Sequence, residues 1–206
     1  MKRDEFFVAW SGLHGGAKIE GVVKTWLQIS FALVNILAKL KVSPNFLTFS
    51  GLAFAIALWQ FPDIWVAAIF LTLSLLFDGI DGSLAIITQK SSRLGAFLDS
   101  FMDRLTEVFW ALALYELGAP AQFIYLALLF AFTQEYLRAR AGSLGHGEVG
   151  IVTICERPVR ASLIFIAIIL NILNFDSANL IGIIWAAMQF IALMQLTLNS
   201  YKRLVT

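Results

Sequence analysis

The sequence has little cysteine and little charge. Its 206 residues include a single cysteine, Cys155, which excludes an internal disulfide and any Cys-x-x-Cys metal or redox motif. Charged residues make up only 14% of the chain, and 15 Lys and Arg against 14 Asp and Glu leave a net charge of +1, so no nucleic-acid partner is expected. Residues 1–16 lack an apolar core long enough for a cleavable signal peptide.

Apolar residues dominate instead. They account for 59% of the chain, and the mean hydropathy is +0.80, which is typical of a polytopic membrane protein and not of a soluble domain. We therefore predict an all-α fold with six transmembrane helices and an N-terminal amphipathic helix at the membrane interface. The length predicts a single membrane domain, 1–206, in which 1–41 form the N-terminal cytoplasmic or interfacial segment and 44–200 the six-helix bundle.

Residues 20–41 supply the predicted interfacial helix. Their apolar side chains recur at helical spacing, which gives the segment one apolar face. Polar residues interrupt that pattern too often for a typical span, and these are Lys24, Gln28, Asn35 and Lys39. A short first span is the alternative interpretation of the same segment.

Six apolar runs follow, each close to the roughly 20 residues that cross the hydrocarbon core. Ser43 can cap the first of them, and Pro44 suits its first helical turn. The predicted spans are 44–60, 64–86, 94–116, 121–141, 156–174 and 178–200. Residues 87–93 are predicted to connect two antiparallel helices, and 142–155 to form a polar, Gly-rich loop.

The distribution of positive charge orients these spans. The turns at 61–63, 116–120 and 174–177 share one side of the membrane and contain no Lys or Arg, whereas all fifteen Lys and Arg fall on the other side. By the positive-inside rule, the side that carries the positive charge is cytoplasmic. We therefore predict a multi-pass protein of the plasma membrane with both termini in the cytoplasm.

Four aspartates lie in the stretch DGIDGSLAIITQKSSRLGAFLDSFMD, namely Asp78, Asp81, Asp99 and Asp103. The first two are three residues apart and the last two are four apart, so each pair occupies one helix face. A hairpin between the two helices would bring both pairs together. One Asp at the centre of a membrane helix costs about 2.5–3.5 kcal/mol on insertion scales, and clustering the charges adds repulsion.

Divalent cations would remove both of these costs. Because no His or Cys is near, we expect Mg²⁺, Mn²⁺ or Ca²⁺ and not zinc, and four carboxylates can hold two such ions. Gly79, Gly82 and Gly95 would let a helix or a ligand approach the backbone closely. The alternative is that the aspartates only cap helix ends and form ion pairs.

Four arginines are predicted to lie on the same side of the membrane as the aspartates. They are Arg138, Arg140, Arg157 and Arg160. Guanidinium groups bind phosphate oxygens in a bidentate manner, so a phosphate pocket is one interpretation. The other is that these arginines set the topology and contact anionic lipid headgroups.

The spacing of the aspartates resembles a family pattern. Members of the CDP-alcohol phosphotransferase family carry Asp-x2-Asp-Gly-x2-Ala-Arg-x8-Gly-x3-Asp-x3-Asp. All spacings and seven of the eight identities of that pattern occur here, at Asp78, Asp81, Gly82, Ala85, Gly95, Asp99 and Asp103. The departure is Ile86, which stands where the family has Arg near the nucleotide diphosphate. If that lost contact is a defect, arginine at position 86 should tighten donor binding.

This resemblance implies both a reaction and its residues. Two Mg²⁺ or Mn²⁺ ions would be held by Asp78, Asp81, Asp99 and Asp103, and Asp103 would also be the catalytic base. The donor would be CDP-diacylglycerol, which loses CMP, and relatives form homodimers. The implied donor-binding residues are Asp78, Asp81, Gly82, Ala85, Ser92 and the Pro-Asn-x-x-Thr residues Pro44, Asn45 and Thr48.

Two further segments resemble bacterial phosphatidylinositol phosphate synthases within that family. They are Arg138-Ala139-Arg140-Ala141 and Glu156-Arg157-Pro158-Val159-Arg160. In those enzymes the basic residues are associated with the acceptor phosphate. The resemblance thus implies an acceptor-phosphate site at Arg138, Arg140, Arg157 and Arg160, a phosphorylated polyol acceptor such as inositol 1-phosphate, and a role in phospholipid biosynthesis.

Three alternatives stay open at this point. The chain could be a phosphatidylglycerophosphate-type synthase with a different acceptor. It could be a catalytically impaired family member that serves as a binding or partner subunit, because Ile86 replaces the motif arginine. An ion transporter is a weaker possibility, since the carboxylates lie at one helix end and not along a path.

Overall fold

The structure of the chain is a computed structural model that describes residues 1–144 and 151–205. This part of the chain forms eight α-helices and no strand, which confirms the all-α fold class. The helices are α1 (Arg3–Leu13), α2 (Gly21–Lys39), α3 (Pro44–Gln60), α4 (Ala67–Ile87), α5 (Arg93–Glu116), α6 (Ala121–Ser143), α7 (Arg157–Ile172) and α8 (Ala178–Val205).

Local capping sets the start of two helices that matter for the site. α3 begins at Pro44, as predicted, and the Ser43 hydroxyl oxygen accepts a hydrogen bond from the Phe46 N–H at 3.2 Å. α5 begins after Ser92, whose hydroxyl oxygen accepts from the Gly95 N–H at 3.0 Å. The connection between α4 and α5 therefore ends at a capped helix start, within the segment that the sequence predicted as a connection.

Helices α3 to α8 coincide with the six predicted spans to within a few residues. In the described chain, three helices are long and apolar enough to cross a membrane: Gly21–Lys39, Ala67–Ile87 and Ala178–Leu204. The first of these is α2, for which both an interfacial position and a short span were open. Its length and composition fit a span, and the number of crossings stays a prediction.

The predicted loop at 142–155 is only partly described. α6 extends into it as far as Ser143, and residues 145–150 lie outside the described residues. The stretch from Ile151 to Glu156 leads into α7, and Thr153 and Cys155 are buried within it. This short stretch is therefore packed against the protein. The Gly-rich part of the predicted loop lies before it in the sequence.

One compact unit of the chain comprises 1–53 and 73–103. Its apolar packing has two parts. Val34, Leu47, Ile80 and Leu84 form one buried cluster from α2, α3 and α4. The other buried cluster consists of Phe6, Leu27 and Ile86, from α1, α2 and α4.

The other compact unit comprises 54–72 and the described chain from Arg104 onwards. In it α6 packs along α8, and α8 also contacts α7. Both helices carry small buried residues, with Ala127 and Ala131 in α6 and Ala186 and Ala192 in α8. Small side chains let helices approach closely, and such packing drives helix association in lipid, where apolar burial alone gives no preference.

The buried thiol of Cys155 should be unreactive in the folded protein. Burial raises the pKa of its thiol to about 11, although the nearby Arg160 guanidinium acts in the opposite direction. Because the thiolate is the reactive form, about one thiol in a thousand is ionised at pH 8. We expect no maleimide labelling of the folded protein at pH 7–8, and stoichiometric labelling after denaturation in SDS, both read by mass spectrometry. Rapid labelling of the folded chain would contradict the buried position.

Candidate active site

Three of the four motif aspartates converge in the structure. Asp78 of α4 and Asp99 and Asp103 of α5 place carboxylate oxygens within 4.8 Å of one another. All three side chains are partly buried. We call these three residues the acidic cluster.

The geometry of the acidic cluster fits a divalent cation. Carboxylate oxygens that share one Mg²⁺ or Ca²⁺ lie about 2.0–2.6 Å from the ion, so two of them are at most about 5 Å apart. The three oxygens of the cluster satisfy that limit. An all-oxygen donor set also favours Mg²⁺, Mn²⁺ or Ca²⁺ over zinc.

The fourth aspartate, Asp81, stands outside this group. Its side chain is buried, and its Oδ2 accepts a hydrogen bond from the Thr48 hydroxyl of α3. A hydroxyl donor fixes one carboxylate oxygen and leaves the other lone pairs available. Thr48 therefore orients Asp81, which gives the Pro-Asn-x-x-Thr segment a structural task. Pro44 starts the helix, and Asn45 is exposed in its first turn.

Glycine allows α3 to approach α4 beside Asp78. A Cβ on Gly51 would lie 3.2 Å from the carbonyl oxygen of Ser74 and 3.7 Å from the Cβ of Asp78. The backbone oxygen cannot move without shifting α4. Gly51 was not singled out by sequence, because nothing in its surroundings along the chain marks it as close to Asp78.

The three glycines of the motif differ in their surroundings. A Cβ on Gly79 would lie 2.8 Å from the ring of Trp26, so this glycine allows α2 to pack on α4. On Gly95, a Cβ would lie 3.1 Å from the hydroxyl oxygen of Ser92, the residue that caps α5. Among the described residues, a Cβ on Gly82 would meet nothing within 4 Å. Gly82 is thus the motif glycine with open space beside it, where a ligand can reach the backbone.

Ile86 has a packing role in this chain. Its side chain is 6% exposed and lies with Phe6 of α1 and Leu27 of α2, both fully buried. Partly buried Trp10 and Trp26 pack against the same cluster. The position where the family carries arginine is therefore filled by an apolar contact that holds the N-terminal helices against α4.

The guanidinium group of Arg160 contacts other protein groups through each of its nitrogens. Its side chain is fully buried and bonds Glu107, which is also fully buried. Its Nε donates to the Cys155 carbonyl oxygen at 3.1 Å, and its Nη2 lies 3.4 Å from Oε1 of Glu135. Every nitrogen of this guanidinium thus has a protein partner.

Arg138 is also paired with a carboxylate. Its Nη1 donates to Oε2 of Glu156 at 2.9 Å, and its Nη2 bonds Oε1 of the same residue. Oε1 of Glu156 further accepts from the Thr153 N–H at 2.7 Å and the Thr153 hydroxyl at 2.8 Å. This arrangement ties the turn before α7 to α6.

The remaining two arginines have different surroundings. Arg140 is exposed and bonds the Ser143 hydroxyl at 3.2 Å. The guanidinium carbon of Arg157 lies 5.1 Å from the centre of the Trp110 ring, which is a cation–π distance. Of the four predicted phosphate ligands, Arg138 and Arg160 are therefore held by carboxylates.

Sequence reasoning missed the carboxylate partners of these arginines. They are Glu107, Glu135 and Glu156. A signal existed for the first, since Glu107 follows Asp103 by four residues and so continues the acidic face of α5. None existed for Glu135, whose contacts depend on how helices pack.

Comparisons with known proteins agree with the motif. The sequence model of the family described as CDP-alcohol phosphatidyltransferase matches residues 41–198. The archaetidylinositol phosphate synthase of Pyrococcus horikoshii is 34% identical over 174 residues, which cover 82% of this chain and 88% of that protein. The phosphatidylinositol phosphate synthase of Cutibacterium acnes is 32% identical over 144 residues, which cover 64% of this chain and 70% of that protein.

Solved structures share the fold. The phosphatidylinositol phosphate synthase of Mycobacterium tuberculosis with CDP-DAG bound matches with a TM-score of 0.69 and 20% identity, and the match covers 84% of this chain and 94% of that chain. A second structure of the same protein, in complex with manganese and citrate, has the same TM-score and identity and covers 88% of that chain.

The position of Ile86 predicts the effect of restoring the family residue. Ile86→Arg would bury an unpaired charge among aromatic and aliphatic groups and should cost about 3 kcal/mol or more. We expect a clear loss of thermal stability in detergent and no tightening of CDP-diacylglycerol binding. Ile86→Val is the matched control and should cost only about 0.5–1.5 kcal/mol. A stable Ile86→Arg protein with tighter donor binding would support the missing phosphate contact instead.

The contact at Gly51 predicts a second effect. Gly51→Ala should push α4 away by a few tenths of an ångström and displace Asp78, so we expect divalent binding to weaken about tenfold. Free Mn²⁺ measured by electron paramagnetic resonance gives the affinity directly. Gly12→Ala is the control, because a Cβ there meets nothing within 4 Å in the described part of the chain. Equal Mn²⁺ affinity in both variants would contradict a role for Gly51 in placing Asp78.

Proposed function

Because this chain belongs to the CDP-alcohol phosphatidyltransferase family, we propose that it transfers a phosphatidyl group from CDP-diacylglycerol to a phosphorylated polyol and releases CMP. It is an enzyme of a lipid-synthesising family and a membrane protein with apolar helices. The observation that carries the proposal is the convergence of Asp78, Asp99 and Asp103 within a matching family motif.

The acceptor is proposed to be inositol 1-phosphate. Support comes from the names of the relatives, which are archaetidylinositol phosphate synthase and phosphatidylinositol phosphate synthase. The segments around Arg140 and Arg157 that resemble the latter enzymes add to it. Glycerol 3-phosphate, the acceptor of a phosphatidylglycerophosphate-type synthase, is the competing choice. Both acceptors offer a hydroxyl and a phosphate monoester.

The metal is proposed to be Mg²⁺ or Mn²⁺, in two sites. Asp78, Asp99 and Asp103 would hold one ion, and Asp81 would join them for the second, in an orientation that Thr48 sets. Bound divalent ions neutralise charge on a diphosphate and stabilise the leaving phosphate oxygen. Support for the metal comes from the all-oxygen donor set and from the structure of the Mycobacterium tuberculosis protein with manganese.

Asp103 is proposed to be the general base. Its carboxylate would take the proton from the acceptor hydroxyl, whose oxygen then attacks the phosphorus of the phosphatidyl group. The bond from that phosphorus to the oxygen of CMP breaks, and CMP leaves with the electron pair. The donor is proposed to lie along Gly82 and Ala85 of α4, with Pro44, Asn45, Thr48 and Ser92 at its margins.

Contacts of the arginines suggest separate tasks for them. Arg140 and Arg157 are proposed to bind the acceptor phosphate. Arg138 and Arg160 are proposed to hold the surrounding helices, because Glu156 and Glu107 already occupy their guanidinium groups. Ser92 caps α5 through its oxygen and keeps its own hydrogen to donate to a diphosphate.

The membrane arrangement remains part of the proposal. We propose one membrane domain with six spans, cytoplasmic termini and a cytoplasmic active site in the plasma membrane, on the strength of the Lys and Arg distribution. α2 would lie in the interface, with a span as the alternative. A homodimer is proposed from the resemblance alone.

A catalytically impaired family member is the second candidate, and Ile86 is the residue that favours it. Its buried contacts explain how the chain tolerates the loss of the motif arginine without indicating whether the reaction needs it. The four aspartates of the motif oppose this second candidate.

The test is CMP release by the purified full chain in detergent. We expect release from CDP-diacylglycerol with inositol 1-phosphate when Mg²⁺ or Mn²⁺ is present, and none in excess EDTA. Asp103→Asn should lower the rate about 10²–10⁴-fold, the usual contribution of a general base. Asp63→Asn, at an exposed position outside the motif, is the matched control and should retain full activity.

The remaining outcomes separate the alternatives. CMP release only with glycerol 3-phosphate would favour the phosphatidylglycerophosphate-type synthase. Absence of CMP with every acceptor would favour the impaired member. Equal rates with and without EDTA would contradict the proposed metal dependence.

A further inference from the structure

Glu107 and Arg160 form an ion pair whose two side chains are fully buried. Charges removed from water are costly even when they are paired. Because apolar residues of similar volume are often at least as stable, stability alone does not explain such a pair. Neither residue belongs to the aspartate motif.

The pair is the centre of a wider network. Arg104 Nη1 lies 2.9 Å from Oε2 of Glu107, so both oxygens of this carboxylate face guanidinium groups. Oε1 of Glu135 lies 3.4 Å from Nη2 of Arg160 and 3.6 Å from Nη1 of Arg138. Residues of α5, α6 and α7 are thereby tied together by charge-assisted contacts.

Arg157 belongs to the same part of α7. It is the first residue of the helix, and Arg160 follows it by three residues, so both lie on one helix face. The guanidinium of Arg157 lies over Trp110, which follows Glu107 by three residues on α5. α5 therefore contacts the first turn of α7 at two points, one through Arg160 and one through Arg157.

The contacts of Glu107 and Arg160 indicate a structural role for both side chains and not direct substrate binding. Both carboxylate oxygens of Glu107 lie close to arginine guanidinium groups, and all three nitrogens of Arg160 have protein partners. Both side chains are also fully buried, so neither is exposed to a substrate. The consequence of their pairing is the fixed position of the α7 first turn and of the arginine on it.

We propose that Glu107 is a positioning residue for the acceptor subsite: by holding Arg160 it fixes the first turn of α7, and with it Arg157, where Arg157 binds the acceptor phosphate. The inference rests on the proposed function. It adds a residue outside the family motif, and it makes a carboxylate that never touches the acceptor responsible for acceptor affinity.

The test compares Glu107→Gln with Glu116→Gln, the same substitution at an exposed position of the same helix. The full chain in detergent is assayed for CMP release with separate titrations of inositol 1-phosphate and CDP-diacylglycerol. Glu107→Gln keeps the shape and removes the charge, so Arg160 loses its fully buried ionic partner and the α7 first turn is held less firmly. We expect the KM for inositol 1-phosphate to rise about tenfold and the KM for CDP-diacylglycerol to change less than twofold.

Glu107→Asp tests whether a retained negative charge partly restores acceptor affinity. It retains the charge on a shorter side chain and should show an intermediate rise in the KM for inositol 1-phosphate. If Glu107→Gln does not fold, this variant carries the comparison alone. Glu116→Gln should match the wild type throughout.

Each other result is decisive. An unchanged KM for inositol 1-phosphate in the variants of Glu107, or an equal rise in both KM values, would overturn the positioning role. A loss of folded protein with both KM values unchanged would assign the pair to stability alone and overturn it as well. If the wild type releases no CMP with any acceptor, the proposed function fails and takes this inference with it.

Discussion

A charged side chain removed from water is tolerated only when a nearby charge balances it, and two parts of this chain meet that constraint differently. In one, Arg160 and Glu107 balance each other within the protein, with Arg104 and Glu135 beside them. In the other, carboxylate oxygens of Asp78, Asp99 and Asp103 lie within 4.8 Å of one another, an arrangement that a divalent cation offsets best. The first arrangement serves structure, and the second can serve chemistry.

Uncharged residues set the positions of the acidic cluster and of the helices around it. The Thr48 hydroxyl holds Asp81, the absence of a side chain at Gly51 allows α3 to lie beside Asp78, and Ser92 starts α5 at a defined residue. Each acts through hydrogen bonding or close approach and not through charge. Such contacts hold ligand side chains within the narrow geometric limits that metal-assisted chemistry requires.

The departure at position 86 shows how a motif residue can acquire another task. In this chain Ile86 is buried with Phe6 and Leu27, so α1 and α2 are anchored on α4 next to the motif. A long charged side chain at that position would have to leave the cluster or remain in it unpaired. The apolar residue and the docked N-terminal helices therefore depend on each other, and an exchange of one residue alone would not recover the family arrangement.

The sequence alone sufficed for the helical class, the approximate helix positions, the capped start at Pro44 and the family, because apolar periodicity, turn residues and motif spacing are local properties of the chain. The four-residue spacing of Asp99 and Asp103 likewise placed both carboxylates on one face of α5. Tertiary structure decided which groups meet. Arg160 pairs with Glu107 at a separation of 53 residues, Asp81 accepts a hydrogen bond from Thr48, and Ile86 is covered by α1. Such pairings depend on how whole helices pack, and the spacing of residues along one helix carries no information about its neighbour.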